Sequence, residues 1–284
     1  MLTIDVHHPE IRTFVNIKRD LKKVTGANIS IRLSDEFMQA VKDDGKVHLR
    51  FPVDKDAKHT VEEWIDAKQL WHEIIEAAWS SAEPGLLFWD TVKKRTPTEA
   101  YPDYRSTSTN PCGEIVLSPY DSCRLLLVNL YKFVKNPFTS AAAYDNERFK
   151  DVVIKAQRLM DDLIDLEIEA VDKIINKIKS DPEPDDVKQS ELNLWNKIRE
   201  AALGGRRTGL GVTALGDTLA AMGFVYGSDH SIQMTESLYK ALALSAYRST
   251  VTMAQERGAF PVFSHKLESD HPFIKQILEA NPDL

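Results

Sequence analysis

The stretch STSTNPCGEIVLSPYDSCRLLLVNLY, residues Ser106–Tyr131, contains both cysteines of this 284-residue chain. Cys112 lies two residues after Asn110 and two residues before Glu114, with a proline and a glycine as its direct neighbours. Proline fixes φ and removes a backbone donor, whereas glycine adds conformational freedom. The sequence therefore predicts a tight turn around this thiol, and we treat the loop as a candidate site.

The side chains of Asn110, Cys112 and Glu114 have complementary chemistry. In a locally extended backbone they lie on one side, because residues i and i+2 share a face. A carboxylate can take a proton from a substrate hydroxyl, and an amide can donate and accept hydrogen bonds. The thiol adds a redox-active atom. The alternative is that Cys112 is a buried small hydrophobe, as free cysteines most often are.

Cys123 follows eleven residues later, after Pro119 and the pair Asp121-Ser122. These residues predict a turn that brings the two sulfur atoms near each other. The alternative is a core cysteine that leads into the apolar run Leu125–Val128. The pattern alone leaves both interpretations open.

Composition excludes several classes of protein. Hydrophobic residues make up 43% of the chain and charged residues 28%, as in soluble globular proteins. A net charge of −7 argues against a large nucleic-acid-binding surface. The apolar runs are too short to cross a bilayer, and the N-terminal residues MLTIDVHHPE lack a signal-like core. We therefore expect a cytoplasmic protein without nucleic-acid or membrane contact.

Hydrophobic spacing predicts helices with interspersed short strands, which is an α/β fold. Strands are predicted at residues 2–6, 28–33, 46–53 and 86–90, the last one buried. Helices are predicted at residues 10–21, 35–44, 61–81, 146–179, 187–203 and 231–257.

The sequence contains three further motifs with a possible binding function. Asp161 and Asp165 match the DDxxD spacing of the metal-diphosphate sites of prenyl transferases, but a charged solvent face is the simpler interpretation. Gly209 and Gly211 lack the third glycine and the preceding strand of a dinucleotide fingerprint, so we predict a tight turn with close helix packing. The pair His7-His8 and His59 stand apart from any ligand-spaced cluster, and we predict no protein-ligated metal.

Four segments in order resemble the large, catalytic chain of ribonucleotide reductases. They are ANISIRLSDEFMQAV (residues 27–41), SAEPGLLFWDT (81–91), NPCGE (110–114) and RRTGLGVTALGDTLAAMGFVYGS (206–228). The resemblance covers essentially the whole chain. The proline and glycine around Cys112, with the eleven-residue gap to Cys123, are similar to the adenosylcobalamin-dependent class.

The resemblance implies a role for each site residue. Cys112 becomes a thiyl radical that takes the 3′-hydrogen of the ribose. Glu114 draws the proton from the 3′-hydroxyl, and Asn110 holds the substrate hydroxyls. Cys123 is one half of the dithiol that reduces the 2′ position. The cofactors implied are adenosylcobalamin and an external dithiol reductant such as thioredoxin.

The resemblance also implies an architecture and partners. The family fold is a ten-stranded α/β barrel with a finger loop inside and helices outside, and residues 1–284 would form a single partial segment of it. A second dithiol cysteine and a phosphate-binding segment would come from elsewhere. We therefore expect a ribonucleoside di- or triphosphate substrate and a complementary reductase chain or self-association. The alternatives are a catalytically inactive remnant that binds or scaffolds, and a magnesium-dependent prenyl transferase using Asp161 and Asp165.

Overall fold

The computed structural model describes residues 1–20 and 22–284, which separate into two compact units. The first unit comprises residues 1–118 and 270–274, and the second comprises residues 119–269 and 275–284. Both units mix helices with sheets, as the sequence predicts. The strands of the described residues form sheets of two or three members and close no barrel. The single-segment organisation of residues 1–284 stays a prediction.

The first unit is built on a parallel three-stranded sheet. Its strands are β1 (Leu2–Asp5), β2 (Ile29–Leu33), β3 (Lys46–Phe51), β4 (Val61–Asp66), β5 (Gly85–Phe88), β6 (Ser108–Thr109) and β7 (Val116–Leu117). Its helices are α1 (Ile11–Asn16), α2 (Asp35–Lys42), α3 (Ala67–Ser81) and α4 (Trp89–Arg95), with 3₁₀ turns at Ile17–Arg19, Pro97–Ala100 and Pro102–Tyr104. The sheet order is β1-β2-β5, and β3-β4 and β6-β7 are antiparallel pairs.

The core of the first unit lies where α1, α2 and α3 pack on the strands. Phe37 of α2, Leu70 and Ile74 of α3 and Ile31 of β2 are all fully buried. Each such side chain contributes roughly 1.5–3 kcal/mol when it leaves water. Ser34 caps α2 by accepting a hydrogen bond from the N–H of Phe37 at 3.0 Å, which confirms the predicted helix start.

Two predictions for this unit are wrong. Residues 61–66 are a strand rather than the first turns of a helix, because they pair along β3 and Asp66 then caps α3 through the N–H of Gln69. Trp64 of this strand is 60% exposed. β5 is not buried, since it lies at a sheet edge with Leu86 and Phe88 exposed. The predicted helix at 10–21 is α1 and its 3₁₀ turn, and Leu21 lies outside the described residues.

The second unit combines long helices with a parallel strand pair. Its strands are β8 (Leu125–Asn129), β9 (Val134–Lys135), β10 (Ala143–Tyr144) and β11 (Gly209–Thr213). Its helices are α5 (Asn146–Ser180), α6 (Asp185–Gly205), α7 (Leu215–Ala221), α8 (Asp229–Arg257) and α9 (His265–Ser269), with a 3₁₀ turn at Leu130–Phe133. A last helix, α10, covers Pro272–Ala280. α5 packs against α8, and Phe149, Val153 and Leu238 share one core with Leu130.

The glycine-rich segment is a strand, so the predicted tight turn is wrong. β11 runs parallel to β8, with Gly211 opposite Leu127. A Cβ at Gly211 would lie 3.3 Å from Leu127 Cδ2, tighter than most real contacts. The glycine therefore allows the close approach of the neighbouring side chain, and it does not mark a helix contact.

No helix in the described part of the chain has the length and apolarity needed to cross a membrane.

Candidate active site

Cys112 lies at the tip of a short β-hairpin in the first unit. β6 and β7 pair antiparallel, with Ser108 opposite Leu117 and Thr109 opposite Val116. Between them Gly113 adopts a φ of +88°, a left-handed conformation that favours glycine. The predicted tight turn around the thiol is therefore confirmed.

Asn110 shapes this turn from within. The residue is 9% exposed, and its Oδ1 accepts hydrogen bonds from the N–H groups of Gly113 at 3.2 Å and Ile115 at 3.0 Å. The N–H of Asn110 donates to the carbonyl of Ile115 at 3.0 Å. Its side-chain NH₂ donates to no group within residues 1–20 and 22–284, so this donor remains available to a ligand.

The thiol and the carboxylate of the loop both face solvent. Cys112 is exposed, so the interpretation as a buried hydrophobe is wrong. Glu114 is exposed too, and its carboxylate makes no hydrogen bond or ion pair with the described chain. Because the backbone is a turn and not extended, a common face for Asn110, Cys112 and Glu114 no longer follows from strand alternation. The turn still presents a thiol and a carboxylate to solvent, and the side chain of Asn110 fixes its conformation.

The base of the hairpin is fixed to the parallel sheet. Arg32 of β2 donates from Nη1 to the carbonyl of Thr107 at 3.2 Å, and its guanidinium lies 5.4 Å from the ring centre of Trp89. The N–H of Thr107 donates to the carbonyl of Leu117 at 2.9 Å. The Cys112 turn is thus carried by a short, cross-braced pair of strands.

Cys123 belongs to the second unit, in the segment that enters β8. It is exposed, which contradicts the interpretation as a core cysteine. The next residue, Arg124, is buried and forms ion pairs with Asp121 at 3.3 Å and with Glu167 of α5. Ser122 donates from its hydroxyl to the other oxygen of Glu167 at 2.8 Å. The predicted approach of the two sulfur atoms stays a prediction.

Arg207 completes this network. Its Nε lies 3.1 Å from Asp121 Oδ2, and its carbonyl accepts a hydrogen bond from Arg124 at 3.0 Å. The segment that carries Cys123 is therefore held by charged groups from α5 and from the residues before β11. The sequence pattern did not predict this network, although the buried arginine directly follows Cys123.

Asp161 and Asp165 are held by arginines. Arg206 contacts Asp161 from Nε at 2.7 Å and Asp165 from Nη1 at 2.8 Å, and Arg257 contacts the second oxygen of Asp161 at 2.8 Å. Burial alone would lower the pKa of Arg206, but hydrogen bonds to the two carboxylates raise it well above its ordinary value. Carboxylates engaged in this way do not form the DDxxD metal site considered above.

His59 is not isolated, contrary to the sequence interpretation. His48, His59 and Glu62 bring one ligand atom each within 4.8 Å of one another. The sequence interpretation missed this cluster because it assigned Glu62 to a helix. The pairing of β3 with β4 is what brings His48 beside Glu62.

Comparison with known proteins adds the family. The family described as "Ribonucleotide reductase, barrel domain" matches residues 1–278. The chain belongs to this family. The recognition from NPCGE and the three accompanying segments is thereby confirmed, and the prenyl transferase alternative is not favoured.

Several relatives carry the name of one class of reductase. The chain is 31% identical over 265 residues to a "Vitamin B12-dependent ribonucleoside-diphosphate reductase" of Mycobacterium tuberculosis strain CDC 1551, covering 93% of this chain and 33% of the relative. It is 30% identical over 261 residues to the protein of that name from Thermoplasma acidophilum, covering 92% and 30%. A "Vitamin B12-dependent ribonucleotide reductase" of Streptomyces coelicolor is 28% identical over 305 residues, covering 99% and 28%. The chain thus spans about a third of the length of the relatives it matches.

Proposed function

We propose that this reductase-family chain carries part of the catalytic centre of an adenosylcobalamin-dependent ribonucleoside di- or triphosphate reductase. The observation that carries the proposal is the β6–β7 hairpin. It presents the exposed thiol of Cys112 beside the exposed carboxylate of Glu114, with Asn110 fixing the turn. The names of the relatives support the cofactor class.

The proposed architecture is a segment of a ten-stranded α/β barrel with the β6–β7 hairpin as its finger loop. The parallel sheets β1-β2-β5 and β8-β11 support it, because the edge strands of each can pair with further parallel strands. The first unit also leaves Leu2 and Phe88 half exposed on sheet strands. Unpaired edges and exposed apolar side chains favour association, so we include a complementary reductase chain or a second copy as partner.

The chain meets one requirement of adenosylcobalamin chemistry, which is an accessible thiol. Adenosylcobalamin, when bound, supplies radical chemistry that amino-acid side chains lack. A radical acceptor must be reachable, and the sulfur of Cys112 is exposed at the tip of a turn. As a thiyl radical, Cys112 takes the hydrogen atom from C3′, so an S–H bond forms while the C3′–H bond breaks.

The neighbouring side chains handle protons and position. Glu114 accepts the proton of the 3′-hydroxyl, which assists loss of the 2′-hydroxyl as water. Asn110 donates from its NH₂ to a substrate hydroxyl oxygen, while its Oδ1 keeps the turn in place. At the end of the cycle the hydrogen atom returns from Cys112 to C3′, and Glu114 returns its proton to the 3′-oxygen, so the product keeps its 3′-hydroxyl.

Reduction at C2′ needs two electrons. Cys123 and a second cysteine thiol supply them together with two protons, and the pair is oxidised to a disulfide as one water leaves. An external dithiol such as thioredoxin restores the thiols by exchange. We place the reaction in the cytoplasm, where reducing conditions keep exposed thiols such as Cys123 reduced.

A chimera tests this proposal. Residues 1–278 replace the matching segment of the mycobacterial relative, and folding is checked by circular dichroism and gel filtration. With adenosylcobalamin, a dithiol and a 3′-tritiated ribonucleoside diphosphate, the chimera should release tritium and form deoxyribonucleotide. The same chimera with Cys112→Ser should do neither. A folded, cobalamin-binding chimera that releases no tritium would instead indicate an inactive remnant, and release that persists in the Cys112→Ser chimera would contradict the role proposed for Cys112.

A further inference from the structure

The β3–β4 hairpin and its connection bring two imidazoles and a carboxylate together, away from the cysteine loop. His48 lies on β3, His59 in the connection, and Glu62 on β4. His48 Nε2 lies 3.3 Å from Glu62 Oε1, and His59 Nδ1 lies 3.0 Å from the same oxygen. Two nitrogen atoms thus converge on one carboxylate oxygen.

Each ring nitrogen of His59 faces an oxygen acceptor. His59 Nε2 lies 2.9 Å from the carbonyl oxygen of Asp54. A carbonyl only accepts, so Nε2 carries a proton. Nδ1 lies 3.0 Å from Glu62 Oε1, which as a carboxylate also only accepts, so this contact needs either a second proton on the ring or a cation in its place. Metal-bound histidines commonly have this arrangement, in which a backbone carbonyl fixes the tautomer of the ligating ring.

His48 is held in place but is left unsatisfied. Its ring stacks on the cross-strand neighbour Trp64, with ring centres 4.5 Å apart and planes within 3°. Its Nε2 is buried and has no hydrogen-bond partner in the described chain, because the approach to Glu62 lacks hydrogen-bond geometry. A buried polar atom without a partner is costly, and a cation bound between these groups would satisfy it.

We propose that His48 Nε2, His59 Nδ1 and the Glu62 carboxylate bind a divalent ion of the zinc class, with water as fourth ligand. Two ligand atoms on a tetrahedral zinc ion at about 2.0–2.1 Å are roughly 3.3 Å apart, close to both observed separations. Two imidazoles with one carboxylate favour zinc over magnesium and calcium, which prefer oxygen ligands. The bound ion joins residues from β3, β4 and their connection, and so stabilises this hairpin.

Cobalt substitution is the direct test. The full chain with Cys112→Ser and Cys123→Ser is used, because exposed thiols bind cobalt and zinc themselves. Titration with Co²⁺ should produce the visible absorption of four-coordinate cobalt and reach saturation at one equivalent. Zn²⁺ should then displace Co²⁺ and abolish the absorption. Zn²⁺ should also raise the unfolding temperature in proportion to the logarithm of its concentration. Absence of stoichiometric cobalt absorption would overturn the proposal and leave a proton between His59 and Glu62.

Matched variants separate this site from adventitious binding. Glu62→Gln and His59→Gln should weaken cobalt binding at least tenfold, and His48→Phe should do so while keeping an aromatic ring against Trp64. Glu63→Gln, on the opposite face of β4, should bind cobalt as the parent does. Equal binding by Glu62→Gln and Glu63→Gln would overturn the assignment. Circular dichroism checks that each variant folds. The cobalt stoichiometry of the parent tests the proposal even if a variant fails to fold.

Discussion

The Oδ1 atom of Asn110 accepts a hydrogen bond from the backbone N–H of Ile115 at 3.0 Å, across the turn that holds Cys112. Asn110 therefore has a structural role through its oxygen, in addition to the substrate contact that we propose for its NH₂. Because the two roles use different atoms, substitutions can separate them.

Asn110→Asp and Asn110→Leu should behave differently. Aspartate keeps an acceptor for Ile115, so the turn should persist while nucleotide reduction falls through loss of the NH₂ donor. Leucine removes the acceptor and leaves the Ile115 N–H without its partner, which costs about 1–3 kcal/mol. Amide hydrogen exchange at Ile115 should accelerate in the leucine variant only. Equal exchange in both variants would contradict the structural role of Oδ1.

The two cysteines should fail at different steps. In the chimera described above, Cys112→Ser should abolish tritium release from the 3′ position, because a hydroxyl does not readily carry the radical. Cys123→Ser should retain tritium release while deoxynucleotide formation stops, since only the dithiol step is lost. Release by the first variant and not by the second would require the roles to be exchanged.

Glu114→Gln should slow the reaction strongly and leave both thiols intact. The amide keeps the size of the side chain but cannot accept the 3′-hydroxyl proton, and general base catalysis typically contributes roughly 10²–10⁴-fold. Thiol titration should still find Cys112 accessible. Unchanged turnover would remove Glu114 from the proposed site.

How much of the structure can be predicted from the sequence depends on how far apart in sequence the interacting residues are. Ser34 and the helix that it caps were predictable, because capping is local. Residues 61–66 were not, because a nonlocal partner, β3, decides whether they form a strand or a helix. The turn at Gly113 followed from its neighbours, whereas the second role of Asn110 depends on how the turn closes. The ion pair of Arg124 with Glu167 joins residues 43 positions apart in sequence, so no local sequence pattern predicts it.

The ion pairs of Arg206 and Arg257 with the aspartates of α5 should contribute to stability and not to metal binding. Arg206 and Asp161 are mostly buried and paired at 2.7 Å. Arg206→Met removes the ion pair of Asp165 and one of the two arginines that contact Asp161, and should destabilise the second unit by about 2 kcal/mol. Lys155→Met, which breaks the exposed pair with Asp151, should change stability by less than about 0.5 kcal/mol. Urea unfolding measures both. Stabilisation of the parent chain by Mg²⁺ that Asp161→Asn abolishes would revive the DDxxD site.

Glu83 should make the stability of the first unit depend on acid pH. Its carboxylate accepts a hydrogen bond from the N–H of Ile29, the first residue of β2, at 3.0 Å and pairs with Lys18. Burial alone would raise the pKa of Glu83, but the hydrogen bonds from Lys18 and Ile29 outweigh it and hold the pKa below its ordinary value of 4.5.

A lowered carboxyl pKa stabilises the folded state above the ordinary pKa, and this contribution is lost as the pH falls through the folded-state value. Glu83→Gln should therefore unfold at lower urea than the parent at pH 7. The difference between the two proteins should shrink as the pH is lowered below 4.5, because a protonated glutamate resembles glutamine in charge. Glu76→Gln is the matched control, since Glu76 is exposed and pairs only loosely with Arg19 at 3.4 Å. A Glu83→Gln difference that stays constant across this pH range would show that lost packing, and not the charge of Glu83, is responsible.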